Sequence, residues 1–396
     1  MRNVIKVIMK LVSTILILLL VSGCWSSREI ENLSLYLGIA LDKGESSEQE
    51  IQINEEGGDF PNKHLLTVTV QIAPPQSVKA SNDSNSSKLY NNITQTGDSL
   101  LEILREFAIR QNRPVIAHHL KVVIISSELT QELHMNEYID FMLKDNDIRP
   151  NCLIFISTGK AVEVLSFNEP GIIPATYIKN LLDNHTRSNR ILQSVTLTNV
   201  NTFFHTKQSF MLQNIISTGD EIKFSGSGII KGSTGKWVGF LTEQEVSSIN
   251  WITDDVKGGL IKSYNMNDEV IIFELKEAKS KIKSIVKNGQ ISFKVSIKTE
   301  GRLVENWDLN RYGSDPDYIN EVEQIFTETL HNELEQVIKK LQDTYKVDVA
   351  KFGDIIKQQH PDVWKKVSDQ WDEEFSQCNV EFDIKLEITD FGASAQ

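Results

Sequence analysis

The first 24 residues constrain everything after them. Arg2, Lys6 and Lys10 place positive charge ahead of an apolar run, Leu11 to Val21, that ends at Val21-Ser22-Gly23-Cys24. Such a start predicts export: the cations stay on the cytoplasmic side, the apolar run enters the bilayer, and the small residues open the bond before Cys24 to a peptidase. The run falls short of the about 20 residues that a helix needs to span a bilayer. The pattern is that of a lipoprotein signal peptide over residues 1–23, with Cys24 as the site of diacylglyceryl and acyl modification and no further cofactor expected. One acyl chain holds a protein only marginally, whereas two, at ~0.8 kcal/mol per buried methylene, hold it stably. The remainder is expected to fold as an exported, tethered body.

At 396 residues, 40% hydrophobic and 24% charged, that body has the size and composition of two or three ordinary globular domains. The formal net charge is −13, and loss of the leader's cations makes the body more acidic still. Nucleic acid and anionic lipid repel such a body, which argues against nucleic-acid binding and makes the anchor necessary. Of the three cysteines, Cys152 sits in the apolar run Cys152-Leu153-Ile154-Phe155-Ile156 and Cys378 lies far from it in sequence. Two separate core thiols is the simpler reading, and a disulfide between them stays open.

The pattern along the chain predicts an α+β, multi-domain protein. A mixed α/β domain is expected over residues 24–208, a strand-rich middle domain over 209–262 and an α+β domain over 263–396. In the first, Leu35 to Asp42 reads as a central strand and an acidic connection, Gly44 to Asp59, leads to a strand from His64 to Ala73. The stretch Ser81 to Asn92, rich in Ser and Asn, reads as an exposed loop. A helix starts at Asp98-Ser99, and then a strand (Leu120 to Ser126), a helix (about Thr130 to Lys144) and a strand (Cys152 to Ser157) suggest a parallel pair. Helical spacing returns between Pro174 and Gln208. In the middle, Gly232-Ser233-Thr234-Gly235 joins two short strands, and Trp251 and Gly258-Gly259 read as loop and turn. In the last third, Ile291, Phe293, Val295 and Ile297 alternate with polar residues after an Asn288-Gly289 hairpin turn, as do Val380, Phe382, Ile384, Leu386 and Ile388 near the end. Helices from Pro316 and Pro361, the second carrying Trp364, Val367, Trp371 and Phe375, are expected to cover the buried face of an antiparallel sheet.

The search for chemistry mostly eliminates. Gly232 to Trp237 lacks the first glycine and the Ser or Thr of a phosphate loop. His118 and His119 are neighbours in an extended segment, so they point to opposite faces and cannot chelate one ion. Asp145-Asn146-Asp147 lacks the glycine and glutamate of a calcium loop and reads as a helix-to-strand turn. Asp254-Asp255 reads as surface acid. With no hydrolase or metalloenzyme motif present, no catalytic, cofactor or metal residue is assigned and the chain is not expected to be an enzyme. The stripe of the Pro316 helix reads as core packing.

An ordered set of short patches remains: Cys24-Trp25, Arg28-Glu29-Ile30 and Leu33; Gly38-Ile39-Ala40-Leu41-Asp42-Lys43; Leu104-Arg105-Glu106-Phe107; His119-Leu120-Lys121; Asp147-Ile148-Arg149; Ser280-Lys281-Ile282-Lys283; Asn288-Gly289; Phe352-Gly353; Pro361, Trp364, Trp371 and Phe375. Together they resemble the C-subunit lipoproteins of spore germinant receptors, the Ger(x)C family, over nearly all of the mature chain. Ser26 departs from the acidic residue usual two places after the lipidated cysteine. The resemblance implies an endospore former and a place on the outer face of the spore inner membrane. It also implies work beside a multi-span A subunit and a permease-like B subunit, lipidation at Cys24, and no small-molecule ligand on this subunit alone. An exported solute-binding lipoprotein is the alternative, and an exported enzyme comes third.

Overall fold

The computed structural model describes residues 4–11, 14, 33–46, 48–57, 64–73, 89–219, 221–308, 311 and 315–390. Cys24, the leader's cleavage site and residues 81–88 of the polar loop lie outside them. Residues 4–11 are helical and exposed, and among the described residues no helix is long and apolar enough to cross a membrane.

The first sheet is built around β1 (Ser34–Lys43), whose run of apolar residues leaves it no wet face. Tyr36, Ile39 and Leu41 enter one core with Val68 and Val123, while Leu35, Leu37 and Ala40 enter another with Val122 and Phe155. A bulge between Tyr36 and Gly38 shifts the alternation. Gly38 stands where a Cβ would come within 2.9 Å of Leu165 and 3.0 Å of Ala175. On one side β1 pairs antiparallel with β2 (Leu66–Ala73), and β2 with β3 (Asn91–Gly97). On the other it runs parallel to the short β4 (Val115–Ile116) and to β5 (Val122–Ser126), which runs parallel to β6 (Leu153–Ser157). The expected parallel pair is present.

Three local expectations change. Asn91 and Asn92, placed in an exposed loop by composition, open β3. Hydroxyl pairs Thr67–Thr96 (2.8 Å) and Thr69–Thr94 (2.9 Å), with Asn92 donating to the Leu165 carbonyl (2.9 Å), hold this polar strand. The acidic connection contains α1 (Glu48–Glu55). Helix α2 (Leu100–Glu106), capped by Ser99, is followed by two helices where one was expected, α3 (Ser127–Glu132) and α4 (Met135–Lys144). The break falls at His134, whose Nδ1 accepts from Asn136, while the Met135 N–H donates to the Gly235 carbonyl of a distant turn (2.9 Å).

After α5 (Ala161–Leu165), α6 (Pro174–Leu181) and α7 (Leu197–Thr206), the strand-rich middle is shared between two sheets. β7 (Phe210–Ser217), β8 (Ile222–Lys231) and β9 (Lys236–Leu241) extend the first sheet through one registered parallel pair, Ile156 opposite Asn214. Trp251, read as loop, lies buried in α8 (Glu243–Ile252), which a capping box between Thr242 and Glu245 starts. β10 (Leu260–Tyr264) then opens the second sheet, of order β10-β11-β12-β13.

The second sheet is dominated by a long hairpin, β11 (Val270–Lys287) and β12 (Gln290–Asn306), turned at Asn288 (φ +51°) and Gly289 (φ +81°), the positive angles a type I′ turn needs. Its strands β10–β12 are antiparallel, as expected. The terminal strand β13 (Asn379–Asp390) differs and lies parallel to β12, because the helical stretch between them carries the chain back to the starting end. That stretch begins with α9 (Pro316–Lys339), which buries Val322, Phe326, Leu330, Leu334 and Val337 against the sheet. Three short helices follow, not the single one expected: α10 (Phe352–Gln359), α11 (Pro361–Val367) and α12 (Trp371–Phe375).

Candidate functional site

The candidates singled out by sequence do not converge. His118 Nε2 lies 3.8 Å from Asp147, while His119 is exposed and held below its ordinary pKa by partial burial and the nearby Lys121 and Arg149. The Asp147 N–H donates to Asp145 (2.8 Å), so this acidic segment is a turn. At Gly232 a Cβ would meet the Gln208 backbone at 2.4 Å, so the glycine serves close packing. Cys152 and Cys378 are free, buried thiols, each raised by burial to about 12. Among the described residues no group of three or more His, Cys, Asp or Glu is placed to hold a metal ion. Asp254 and Asp255 hold elements together: Asp254 accepts from the Ser280 N–H (2.7 Å), and Asp255 bridges Gln193, Thr253 and Lys351.

What does converge is the pattern around Phe352-Gly353, Trp364, Trp371 and Phe375. At its centre is Asp348, 4% exposed, whose carboxylate accepts from the Ala350 N–H (3.0 Å), the Phe352 N–H (3.3 Å), the Gly353 N–H (2.6 Å) and the Trp371 indole N–H (2.7 Å). It thus gathers the start of α10 and the start of α12 on one side chain. Gly353 is required there, since a Cβ would lie 2.7 Å from Trp371 Nε1 and 3.2 Å from Trp364. Phe352 packs between Phe293 of β12 and Phe375, with ring centroids at 4.7 and 5.2 Å. Burial raises Asp348 to about 6 against the pull of the Trp371 and Gly353 donors, and the neighbouring Asp372 carboxylate adds to the rise. Burial likewise raises Asp372.

This hub reaches across to the first body. Asp372 accepts from the Asp348 N–H (2.9 Å) and from Ser209 Oγ (2.6 Å), and Ser209 Oγ in turn accepts from the Gly232 N–H (3.0 Å). Gln208 donates to Asp354 (3.3 Å). Tyr345 donates to the Phe240 carbonyl at the end of β9 (2.9 Å), and beside it Lys340 pairs with Glu245 at the start of α8 (2.8 Å). Beside Gln208 and Ser209 lies a cleft of about 260 Å³, lined by Phe203, Phe210 and Met211 from one body and by Val349 and Lys351 from the other. The arrangement has no nucleophile–base pair and no cluster of cation ligands; chemically it is a joint, a partly buried polar seam beside an apolar contact in which Ile229 and Leu241 of the first sheet join the core of the second. Sequence reasoning missed Asp348, Asp372 and Ser209. The available signal was Trp371: a tryptophan at a buried helical position needs an acceptor for its indole N–H.

Comparison with known proteins adds the following. Residues 26–217 match the family described as spore germination protein N-terminal domain, and residues 225–392 match spore germination B3/GerAC like, C-terminal. The chain is 37% identical over 384 residues to spore germination protein YndF of Bacillus subtilis, covering 95% of both. It is 29% identical over 378 residues to spore germination protein B3 of the same organism, covering 95% of this chain and 96% of that one. Among solved structures, the crystal structure of the GerBC protein is similar with a TM-score of 0.61 and 26% identity, over 84% of this chain and 96% of that one.

Proposed function

The chain belongs to the Ger(x)C family of spore germination proteins, and from that premise we propose that it is the lipid-anchored C subunit of a nutrient germinant receptor. In this reading Cys24 holds it on the outer face of the spore inner membrane. There it works with membrane-embedded A and B subunits in a coupling role that involves no catalysis and no ligand of its own. The observation that carries the coupling role is the joint. The two bodies meet through Ser209–Asp372, Gln208–Asp354 and Tyr345–Phe240 and through Ile229 and Leu241, which join the second sheet's core, a continuous contact suited to passing a displacement from one body to the other, and no catalytic constellation accompanies it.

Two measurements test this. Cys24→Ala should abolish incorporation of labelled fatty acid and lower germination through the receptor at least about tenfold, since two chains supply most of the hold on the membrane. A variant that is still labelled sinks the anchor. Extraction of the wild-type protein from spore membranes in mild detergent should bring down two multi-span proteins in fixed proportion. Saturable binding of a single nutrient by the isolated protein, with a matching rise in melting temperature, would favour a solute-binding lipoprotein instead.

A further inference from the structure

We propose that the edge of the first sheet at which the tether enters is a basic face that rests on anionic phospholipid headgroups, so that the anchor fixes an orientation as well as a location. This rests on the anchored reading above, and the closing experiment separates the two.

Topology places the face. β4 and β5 run parallel to β1, and β6 runs parallel to β5, so the N-terminal ends of all four strands share one edge. The residues that lead into these ends are basic. Arg113 stands just before β4, where the Pro114 carbonyl accepts from the Ser34 N–H (2.9 Å). Lys121 stands just before β5; its N–H donates to the Leu37 carbonyl (2.9 Å) and its carbonyl accepts from the Leu153 N–H (2.8 Å). Arg149 lies in the turn before β6, its carbonyl accepting from the Cys152 N–H (3.2 Å). Lys179 of α6 adds a fourth cation close enough to hold Lys121 below its ordinary pKa, after the larger effect of burial.

Arg149, Lys179 and His119 are exposed, and Arg113 and Lys121 half-buried. None of the four cations is in an ion pair among the described residues. The acids nearby are partly engaged: Asp145 accepts from the Asp147 N–H, and Asp147 faces His118. Asp183 stands one helical turn beyond Lys179.

The opposite edge of the same strands is acidic. Asp42 stands near the end of β1, buried and accepting from the Ala161 and Val162 N–H groups, and Glu45 lies beyond it; Glu128 and Glu132 follow β5 and hold Lys43 between them (3.4 and 2.6 Å), and Lys160 beyond β6 is the other cation there. Charge is therefore separated along the strands of a protein whose net charge is −13. Free in solution, such a body would be repelled by an anionic surface. Held near one, it turns its basic end inward and its acidic end away.

The chain that precedes β1 decides which end is held near. From Cys24 to Ser34 it can span at most about 35 Å, and it enters at the basic edge. Each Lys or Arg brought to an anionic surface favours the docked state by about fivefold, over a range set by a screening length of about 8 Å at physiological salt.

The experiment uses the full lipidated protein in vesicles, with hydrogen exchange read by mass spectrometry. Vesicles of phosphatidylcholine alone are compared with vesicles that also contain phosphatidylglycerol. The protein should float with both. Exchange in residues 113–121 and 147–151 should slow by about fivefold or more only on the anionic vesicles, and the protection should vanish at 1 M salt. In Arg149→Glu with Lys179→Glu, both at exposed positions, it should be lost without change in melting temperature. Flotation with both compositions but equal exchange overturns this proposal and leaves the anchor standing; flotation with neither overturns both. A third arm uses phosphatidylcholine vesicles carrying the co-extracted multi-span proteins. Protection of this edge there assigns it to a protein partner and overturns the lipid.

Discussion

The two sheets bury apolar surface in opposite ways. In β1 the neighbours Ile39 and Ala40 have no exposed surface at all and point into different cores. In β12 Val295 and Ile297 are buried while Lys294 and Lys298, on the other face, are exposed. A strand covered on both sides reads as an unbroken apolar run, and a strand covered on one side reads as an alternation. The difference also decides where each body can meet another molecule. The central strands of the first sheet offer only their ends, whereas the second presents a broad wet face, on which Lys279, Lys298 and Lys385 stand opposite one another in one row.

The most severe way to break this comparison is to put a charge beside β1's centre. Ala40→Asp places an unpaired carboxylate where nothing is exposed and no donor waits, at a cost of about 4–5 kcal/mol or outright unfolding. Ile39→Asp, on the other face, should be as damaging. If chemical denaturation finds one of the pair mild, β1 has a wet face and the contrast with β12 fails.

Next in size is the polar hub that closes the second body. Asp348 titrates at about 6 in the native state, above the ~3.9 of an unfolded aspartate. Between those values the native state holds a proton that the unfolded state has lost, so this group's contribution to stability falls as pH rises from about 4 to 6 and stays lost above. The full effect is about 3 kcal/mol. Asp348→Asn should lose stability at neutral pH, because two of the four donors would face an amide N–H. It should also flatten the slope between pH 4 and 6, leaving the smaller contributions of Asp42, Asp372 and Glu333, which burial raises in the same direction. An unchanged slope would mean that Asp348 stays ionised throughout.

Much of this was legible from residues alone. Hydropathy located β1, β5, β6 and the β11–β12 hairpin, since each buries a face or turns on Asn-Gly. It failed at β3, whose hold is hydroxyl pairing and not apolar area, and at the break before Met135, whose N–H is satisfied by a turn about a hundred residues away. It failed at the direction of β13 for a similar reason, since alternation reports which face is covered and says nothing of which way the strand runs. The joint was half visible. Gly353 and Trp371 belong to the recognisable pattern, but Asp348 and Asp372 are ordinary acids in a chain with 54 of them, and only the fold shows that their donors converge.

The seam between the two bodies sets the next scale. Ser209→Ala removes the 2.6 Å bond to Asp372 and leaves the Gly232 N–H without its acceptor, for about 2 kcal/mol. In urea the midpoint should fall with an unchanged m-value, as for one cooperative unit. Two resolved transitions would show instead that each body stands on its own core and that the seam alone makes them unfold together.

The smallest effect is expected on the wet face of β13, and it tests the comparison where it is most exposed to error. Lys385 lies opposite Lys298 and pairs along its own strand with Glu387, while its neighbour Leu386 is 5% exposed and packs under α9. Lys385→Asp gives up an ion pair that solvent screens and relieves a like-charge contact with Lys298, so the melting temperature should barely move. Leu386→Asp, one residue on, should cost several kcal/mol. The ratio between these neighbours measures how one-sided the second sheet is. If Lys385→Asp proved as harmful as Leu386→Asp, the Lys279–Lys298–Lys385 row would have to be a covered surface, and the second sheet would resemble the first in having both faces occupied.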